Sequence, residues 1–537
     1  MGLIAETKKA IRDSPKGTFN TYVLTCTWIF AFAGVAKGFD EGNIASLVTQ
    51  SHFRSKFGLD GLSEAEYANS KGWIVSIATA GAVFGCLGCP QINDRIGRKW
   101  TLRLATIIYM GGVLGQGLCH GSLSGLYASR FIAGFGIGVL TIVPPIYISE
   151  ISPKILRGLL TLQYAACQQL GVVLGFFINY GVTRSYPGGD IQWMLPTLLQ
   201  LLPSIIWLFG SFICCESPRW LLYKGKKDQA TTILSKLRRL PLDDPMIIAE
   251  LTGMDAQIIF ESESAGRATI MELFKDTFIP VENRRRFFLI FLATLLSQWS
   301  GANAITQYSP TIFGYLGISG DESTFLATGI YGVIKFISTL AFALFIVDIV
   351  GRRRSLMTGI CLQLITLIYV GAYLGVTRNM TADHIRNTTS ASRASTGAIV
   401  AIYTHAVAWS IGWFSIPYLV GSEIFPIRIR SFNVSISMAF HWAFYFGCSR
   451  AMPSLLAATD KWGAFVFFGC ICLLGLVYVF FAMPDTTGRS LEALDSLFQR
   501  PWYTVYKVAY PSRDDILVER CDTKSAVTPR SEHFETP

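Results

Sequence analysis

Runs of about 20 apolar residues, the length a helix needs to cross the hydrocarbon core of a bilayer, recur along nearly all of this chain. They leave few folds open, because a backbone in lipid must satisfy its hydrogen bonds internally. Composition agrees: 51% of the 537 residues are hydrophobic and 15% charged, against about 25% charged in soluble proteins. Spans are expected at 22–46, 72–93, 101–120, 123–149, 158–181 and 192–214, then at 287–314, 324–347, 355–377, 396–420, 430–455 and 462–483. Between the two sets, KGKKDQ, SKLRR, LDDP, ESES and ENRRR make 215–286 too charged to cross, so it reads as short amphipathic helices on one membrane surface. The expected fold is an all-α membrane protein with twelve transmembrane helices in two six-helix halves, 22–214 and 287–483, joined by a linker at 215–286 and flanked by 1–21 and 484–537.

Lys and Arg concentrate in short cytoplasmic loops, and DRIGRKWTLR, SPKILRG, the linker, DIVGRRRS and FPIRIRS all fall on one side of a twelve-span count. That side and both termini are therefore expected to be cytoplasmic. The sequons at Asn379 and Asn387 fall in the loop between spans nine and ten, on the opposite side, where glycosylation would occur. The net charge of +10 sits in these loops and calls for no nucleic-acid partner. Most of the 12 cysteines lie inside apolar runs, where they act as small hydrophobes, and the Cys86–Cys89 pair lacks the second pair of a metal site. No cleavable leader is expected, since the first 20 residues are polar.

Three phrases occur twice in the same order: DRIGRK and DIVGRR after spans two and eight, SEISPKILRG and SEIFPIRIRS after four and ten, and ESPRW and PDTTGRSLE after six and twelve. Such a duplication gives two halves facing the same way, the parallel repeat of one large class of transporters. Asp94, Glu150, Glu216, Asp348 and Glu423 can pair with Arg95, Arg98, Arg157, Arg219, Arg352, Arg353 and Arg430 across helix ends, forming a cytoplasmic latch that parts as the inside opens. The alternative is that the basic residues only enforce topology.

GFDEG, DRIGRK, RFIAGFGIG, PPIYISEISPKILRG, CESPRWL, SQWSGANAITQYS, DIVGRRR, SEIFPIRIR and PDTTGRSLE, spread over about 22–495, resemble the sugar porter family of the major facilitator superfamily, especially its fungal members. The resemblance implies a major facilitator fold with a cytoplasmic helical linker, no cofactor, no enzymatic reaction, and import of a small molecule by alternating access. A functional monomer among membrane lipids, in the plasma membrane, is expected.

Asp40 in span one and Arg130 in span four are ionisable groups at membrane depth, where an unpaired charge costs about 2.5–3.5 kcal/mol or more. A carboxylate that meets an arginine in one state and is released to protonate in another couples protons to the cycle. The resemblance implies that role for this pair; the alternative is a buried ion pair that only orders the two spans. Lys37 shares a helical face with Asp40 and would work against its protonation, and Glu41 adds a second acid. Lys335, halfway along span eight, is expected to face the central cavity or a buried acid, where it would attract a carboxylated substrate. The gapless register places Phe336 at the family's polar substrate-touching position.

Amide side chains with aromatic walls suit sugar hydroxyls. By resemblance, Gln169, Gln298, Asn303 and Tyr308 fall on sugar-contacting positions. Gln298 and Asn303 are five apart, about 140° around an ideal helix, so both reach one cavity only if the helix breaks, which Gly301 allows. Four departures point away from glucose: Ser297 and Gln307 each replace one of a pair, Tyr418 stands for a tryptophan, and His441, before Trp442, stands for an asparagine. His441 reads equally as a core histidine or a titratable group near ligand. The expected substrate is thus a monosaccharide or sugar-like acid such as a hexuronate or quinate, moved by proton symport. The runners-up are an uncoupled hexose or pentose facilitator and a non-transporting nutrient sensor.

Overall fold

The computed structural model describes residues 20–153, 157–265, 269–318, 320–342, 350–380, 385, 388–414, 420–421, 424–485, 497–499 and 501–510. Among them the spans run Thr21–Leu47, Glu64–Ile96, Arg98–Gly117, Leu123–Ile151, Arg157–Ser185 and Ile191–Gly210 in the first half. Those of the second half run Val281–Tyr315 in three pieces, then Asp321–Ala341, Arg352–Thr377, Thr389–Ile411, Ile427–Ala458 and Trp462–Ala482. Ten of the twelve are apolar enough to cross a membrane on composition; Arg98–Gly117 and Ile427–Ala458 are not, yet both have the length and pack within the bundle. The third span begins Arg98, Lys99 and carries Arg103, and the eleventh carries His441 and Arg450, polar groups that turn inward or to a helix end rather than to lipid.

Within the first half, span one packs on spans four, five and six, and span four on spans two and three. Within the second, span nine packs on ten and twelve, and span seven on eleven and twelve. Between halves, span two meets span eleven and span five meets span eight. Exchanging the halves converts the first of these contacts into the second, so the duplication in sequence is a two-fold repeat in space.

Close approach without a hydrophobic drive between helices needs small residues at the crossing. In GVAKGFDEG, Gly34, Gly38 and Gly42 recur at every fourth position and lie against the backbone of span five, where a Cβ on Gly38 would stand 1.8 Å from the Gln168 carbonyl oxygen. Spans two and four meet in the same way, Gly134 against the Ala78 carbonyl. The charged residues of that phrase, Lys37, Asp40 and Glu41, are thereby left on an adjacent face of span one.

Four helices follow span six: Pro218–Tyr223, Lys227–Arg238, Pro245–Ala265 and Ile270–Phe278. Ile270–Phe278 packs on spans seven and eleven, while the first three share a small apolar core around Leu221, Leu234, Ile247 and Leu251. Arg238 fastens them to the bundle, donating to both Glu250 carboxylate oxygens at 2.7 and 3.0 Å and to the Ile151 carbonyl at the end of span four at 3.0 Å. At the opposite end the halves are joined by Lys71 donating to the Thr311 hydroxyl at 2.7 Å, by Arg450 on Asn69, and by Glu322 with Tyr180 and Arg184.

Gly38→Ala is expected to push spans one and five apart and to destabilise the protein by about 1–3 kcal/mol. The melting temperature of the detergent-solubilised protein measures it, and an unchanged value would contradict the close crossing.

Candidate functional site

A cavity at the centre of the bundle is lined by Lys37, Asp40 and Glu41 of span one, Val75, Ala78 and Thr79 of span two, and Arg130 and Ile137 of span four. The second half supplies Gln307, Trp442 and Tyr445. Charged residues at this depth are functional candidates, and the helix positions explain their convergence. Lys37 and Glu41 are one turn apart, as are Trp442 and Tyr445, so each pair projects from one face of its helix.

Asp40 and Arg130 meet here. The Arg130 guanidinium donates to Asp40 Oδ1 at 3.2 Å, to Gln116 Oε1 at 3.2 Å and to the Val75 carbonyl at 3.4 Å. Arg130 is 1% exposed and Asp40 5%, so the pair is removed from bulk water and strongly attractive. The Gln116 and Val75 acceptors were not legible in the sequence, because span three and the backbone of span two reach Arg130 only through packing.

Beside that pair, the Lys37 ammonium lies 5.0 Å from the centre of the Trp442 ring, a cation–π contact that joins the two halves. Trp442 stacks on Tyr445 with ring centres 5.7 Å apart. The Tyr445 signal was its position three residues after Trp442, on the same helical face.

Next to this lining, through His441 beside Trp442, an amide relay runs from span seven to span eleven. Asn303 donates to Gln298 Oε1 at 2.8 Å, and Gln298 Nε2 lies 2.9 Å from His441 Nδ1. The helix does break between them: Gly301 has φ +86°, a left-handed conformation that favours glycine. The break turns Asn303 back towards Gln298. Since the Gln298 amide donates to Nδ1, that nitrogen is an acceptor, which puts the His441 proton on Nε2.

Other expected residues lie further off. Gln169 is buried in span five with its side-chain oxygen unbonded among the described residues. Tyr308 donates to the Ser449 carbonyl at 3.0 Å and lies under Lys71, towards the end of the bundle opposite the linker. Gln307 rather than Tyr308 reaches the cavity, its amide oxygen accepting from Ser449. Lys335 corrects the expectation of a cavity-facing or acid-paired cation. It is 1% exposed, donates to the Thr306 hydroxyl at 2.9 Å and sits 4.4 Å over Trp409, a layer behind the cavity wall and, among the described residues, with no carboxylate in ion-pair range. Thr306 and the Trp409 face hold it directly, and the buried acid Glu41 acts on it only through charge at longer range. Tyr418 lies outside the described residues.

At the linker end, Arg98 donates to both Glu150 oxygens at 3.0 Å and to Asp94 at 3.3 Å, tying span three to spans four and two. Glu216 accepts from the backbone N–H groups of Arg98 and Lys99 and caps span three, where anionic charge is favoured. Burial pushes its carboxyl above the usual value, against the pull of those donors. Arg157 is exposed and faces Arg219 and Arg238 as well as Glu250, and Arg95 forms no ion pair among the described residues, so neither joins this latch. Arg353 donates to the Phe480 carbonyl and Arg430 to the Phe425 carbonyl, while Arg352 opens span nine. Asp348 and Glu423 lie outside the described residues, as does Asn387; Asn379 sits in the exposed turn after span nine.

The family sequence model described as Sugar (and other) transporter matches residues 26–498. This chain belongs to the sugar transporter family of the major facilitator superfamily. It is 33% identical to the MFS-type transporter qa-x of Neurospora crassa over 503 residues, 91% of each chain. It is likewise 33% identical to a probable quinate permease of Aspergillus niger over 499 residues, 91% of this chain and 90% of that one. Among solved structures, the proton:xylose symporter XylE bound to 6-bromo-6-deoxy-D-glucose superposes with a TM-score of 0.71 at 22% identity, covering 89% of this chain and 99% of XylE. An inward-open structure of the E. coli xylose transporter XylE gives 0.72 at 20% identity over 88% and 99%. These likenesses show the fold. The family makes this chain a multi-pass membrane transporter and not an enzyme.

His441→Leu leaves the Gln298 amide without its acceptor and is expected to cost about 1–3 kcal/mol, whereas His441→Asn, which keeps an acceptor, costs less. Melting temperatures of the two variants decide it: equal losses would remove the relay.

Proposed function

We propose that this transporter imports a monosaccharide or sugar-like acid together with a proton, by rocking of the two halves about the central cavity. The observation that carries the reading is the buried Asp40–Arg130 pair on the cavity wall. A proton on Asp40 cancels the negative charge that answers Arg130 and leaves a weaker, neutral acceptor, so protonation and the arrangement of spans one, two, three and four bias one another. The amide relay and the Trp442 wall supply donors, acceptors and an apolar face for a polyhydroxylated ring. The name quinate permease given to relatives and the description of XylE as a proton:xylose symporter favour the same reading.

The linker end, with Lys99, Arg95, Lys224 and Lys226, faces the cytoplasm on this reading, as do both termini, since basic residues mark that side. The plasma membrane is the site of import and a monomer the working unit. With the halves joined at the end opposite the linker, the described state is closed to the outside. A second reading is an uncoupled facilitator: Gln116 and the Val75 carbonyl hold Arg130 in place whatever the charge on Asp40.

In proteoliposomes carrying an internal pH dye, uptake of quinate or of a hexose is expected to acidify the lumen in step with substrate. Asp40→Asn should reduce that proton movement to background. Substrate entry without proton movement in the unmodified protein leaves only the facilitator.

A further inference from the structure

Lys37 is a cation without a counter-ion. It is 8% exposed, lines the central cavity, and among the described residues forms no hydrogen bond or ion pair; the Trp442 ring lies beneath its ammonium, and Glu41 acts on it only through charge at longer range. Neither of the two carboxylates within reach is in direct contact with it. Asp40 is held by Arg130 at 3.2 Å. Glu41, one turn along the same helix, lines the cavity with Lys37, yet no N–O distance between them falls within 4.0 Å among the described residues. Lys335 adds a second such cation behind the wall. Among the described residues the cavity lining holds two cations, Lys37 and Arg130, against two acids, Asp40 and Glu41, and Lys335 behind the wall leaves the surroundings one negative charge short.

We propose that Lys37 is the specificity-determining residue of the cavity: its ammonium pairs with the carboxylate of a polyhydroxylated acid, so that the site takes the acid and discriminates against the neutral sugar. The ring of such a ligand lies against Trp442 and Tyr445, while Gln307 and the amide relay of Gln298 and Asn303 take its hydroxyls. Lys37 is largely withdrawn from bulk water in the folded protein, so a carboxylate supplies a direct ionic partner that a neutral ligand does not. Lys335 contributes at longer range, as a positive charge behind the wall. The argument rests on the transport reading above only in placing the ligand at this cavity.

The test is equilibrium binding to the full-length protein in detergent, by calorimetry, with quinate and galacturonate as acids and inositol and galactose as their neutral counterparts. Losing one partner of a buried charge pair weakens binding by roughly 30-fold or more. The unmodified protein is expected to prefer at least one acid over its counterpart by about that factor. Lys37→Gln should abolish the preference and Lys37→Arg keep it, with melting temperatures showing that both variants fold. Equal binding of acid and neutral ligand, a preference that survives Lys37→Gln, or no binding of either acid overturns the proposal. Acid binding that depends on Lys37 without any acid uptake into proteoliposomes would overturn the transport reading and leave this one standing.

Discussion

A charge held away from water must find a partner within the protein, and at the centre of this bundle that demand decides which helices meet. Arg130 is answered by a carboxylate from span one, an amide from span three and a carbonyl from span two, so one guanidinium gathers three of its neighbours. The same demand leaves Lys37 facing the cavity with an aromatic face beneath it and no carboxylate in contact among the described residues. Function in such a site comes from incomplete satisfaction: a fully matched set of charges would be a rigid core, and one short of a partner can respond to what enters.

Span one serves both ends of this logic because its sequence interleaves two patterns. Glycines at every fourth position buy a close crossing with span five, and between them Lys37, Asp40 and Glu41 are turned to the cavity. The crossing makes the charges precise in position, since a helix packed backbone to backbone has little room to shift.

Much of this was legible beforehand. Run length anticipated a helix at each of the twelve places, ten of them apolar enough to cross a membrane; in the other two mean apolarity is diluted by groups such as Arg103 and His441. The break at Gly301 was legible as a condition: if the two amides that the resemblance assigns to substrate were to converge, a helix that separates them by five residues had to break, and Gly301 allowed it. What spacing could not give was long-range contact. Lys335 has the same one-dimensional surroundings whether it faces the cavity or, as found, Thr306 and Trp409. Likewise the pairing of Arg98 with Glu150 rather than with any other nearby acid depends on how spans three and four cross.

The repeated phrases end in matching corners. Gly97 joins spans two and three at φ +94°, and a Cβ there would stand 2.7 Å from the Glu216 carboxylate; Gly351 opens span nine at φ +85°, with the Asp485 carboxylate 2.8 Å from the same imagined atom. In each copy an acid from the end of the sixth helix of its own half fills the space a side chain would need, and neither acid comes from across the divide. Each half therefore carries its own fastener at the corner, and the halves can tilt against one another without undoing either. A side chain larger than glycine at one corner would injure a single half, which makes the two corners natural sites for asking whether the ancestral six-helix unit still folds as an independent piece.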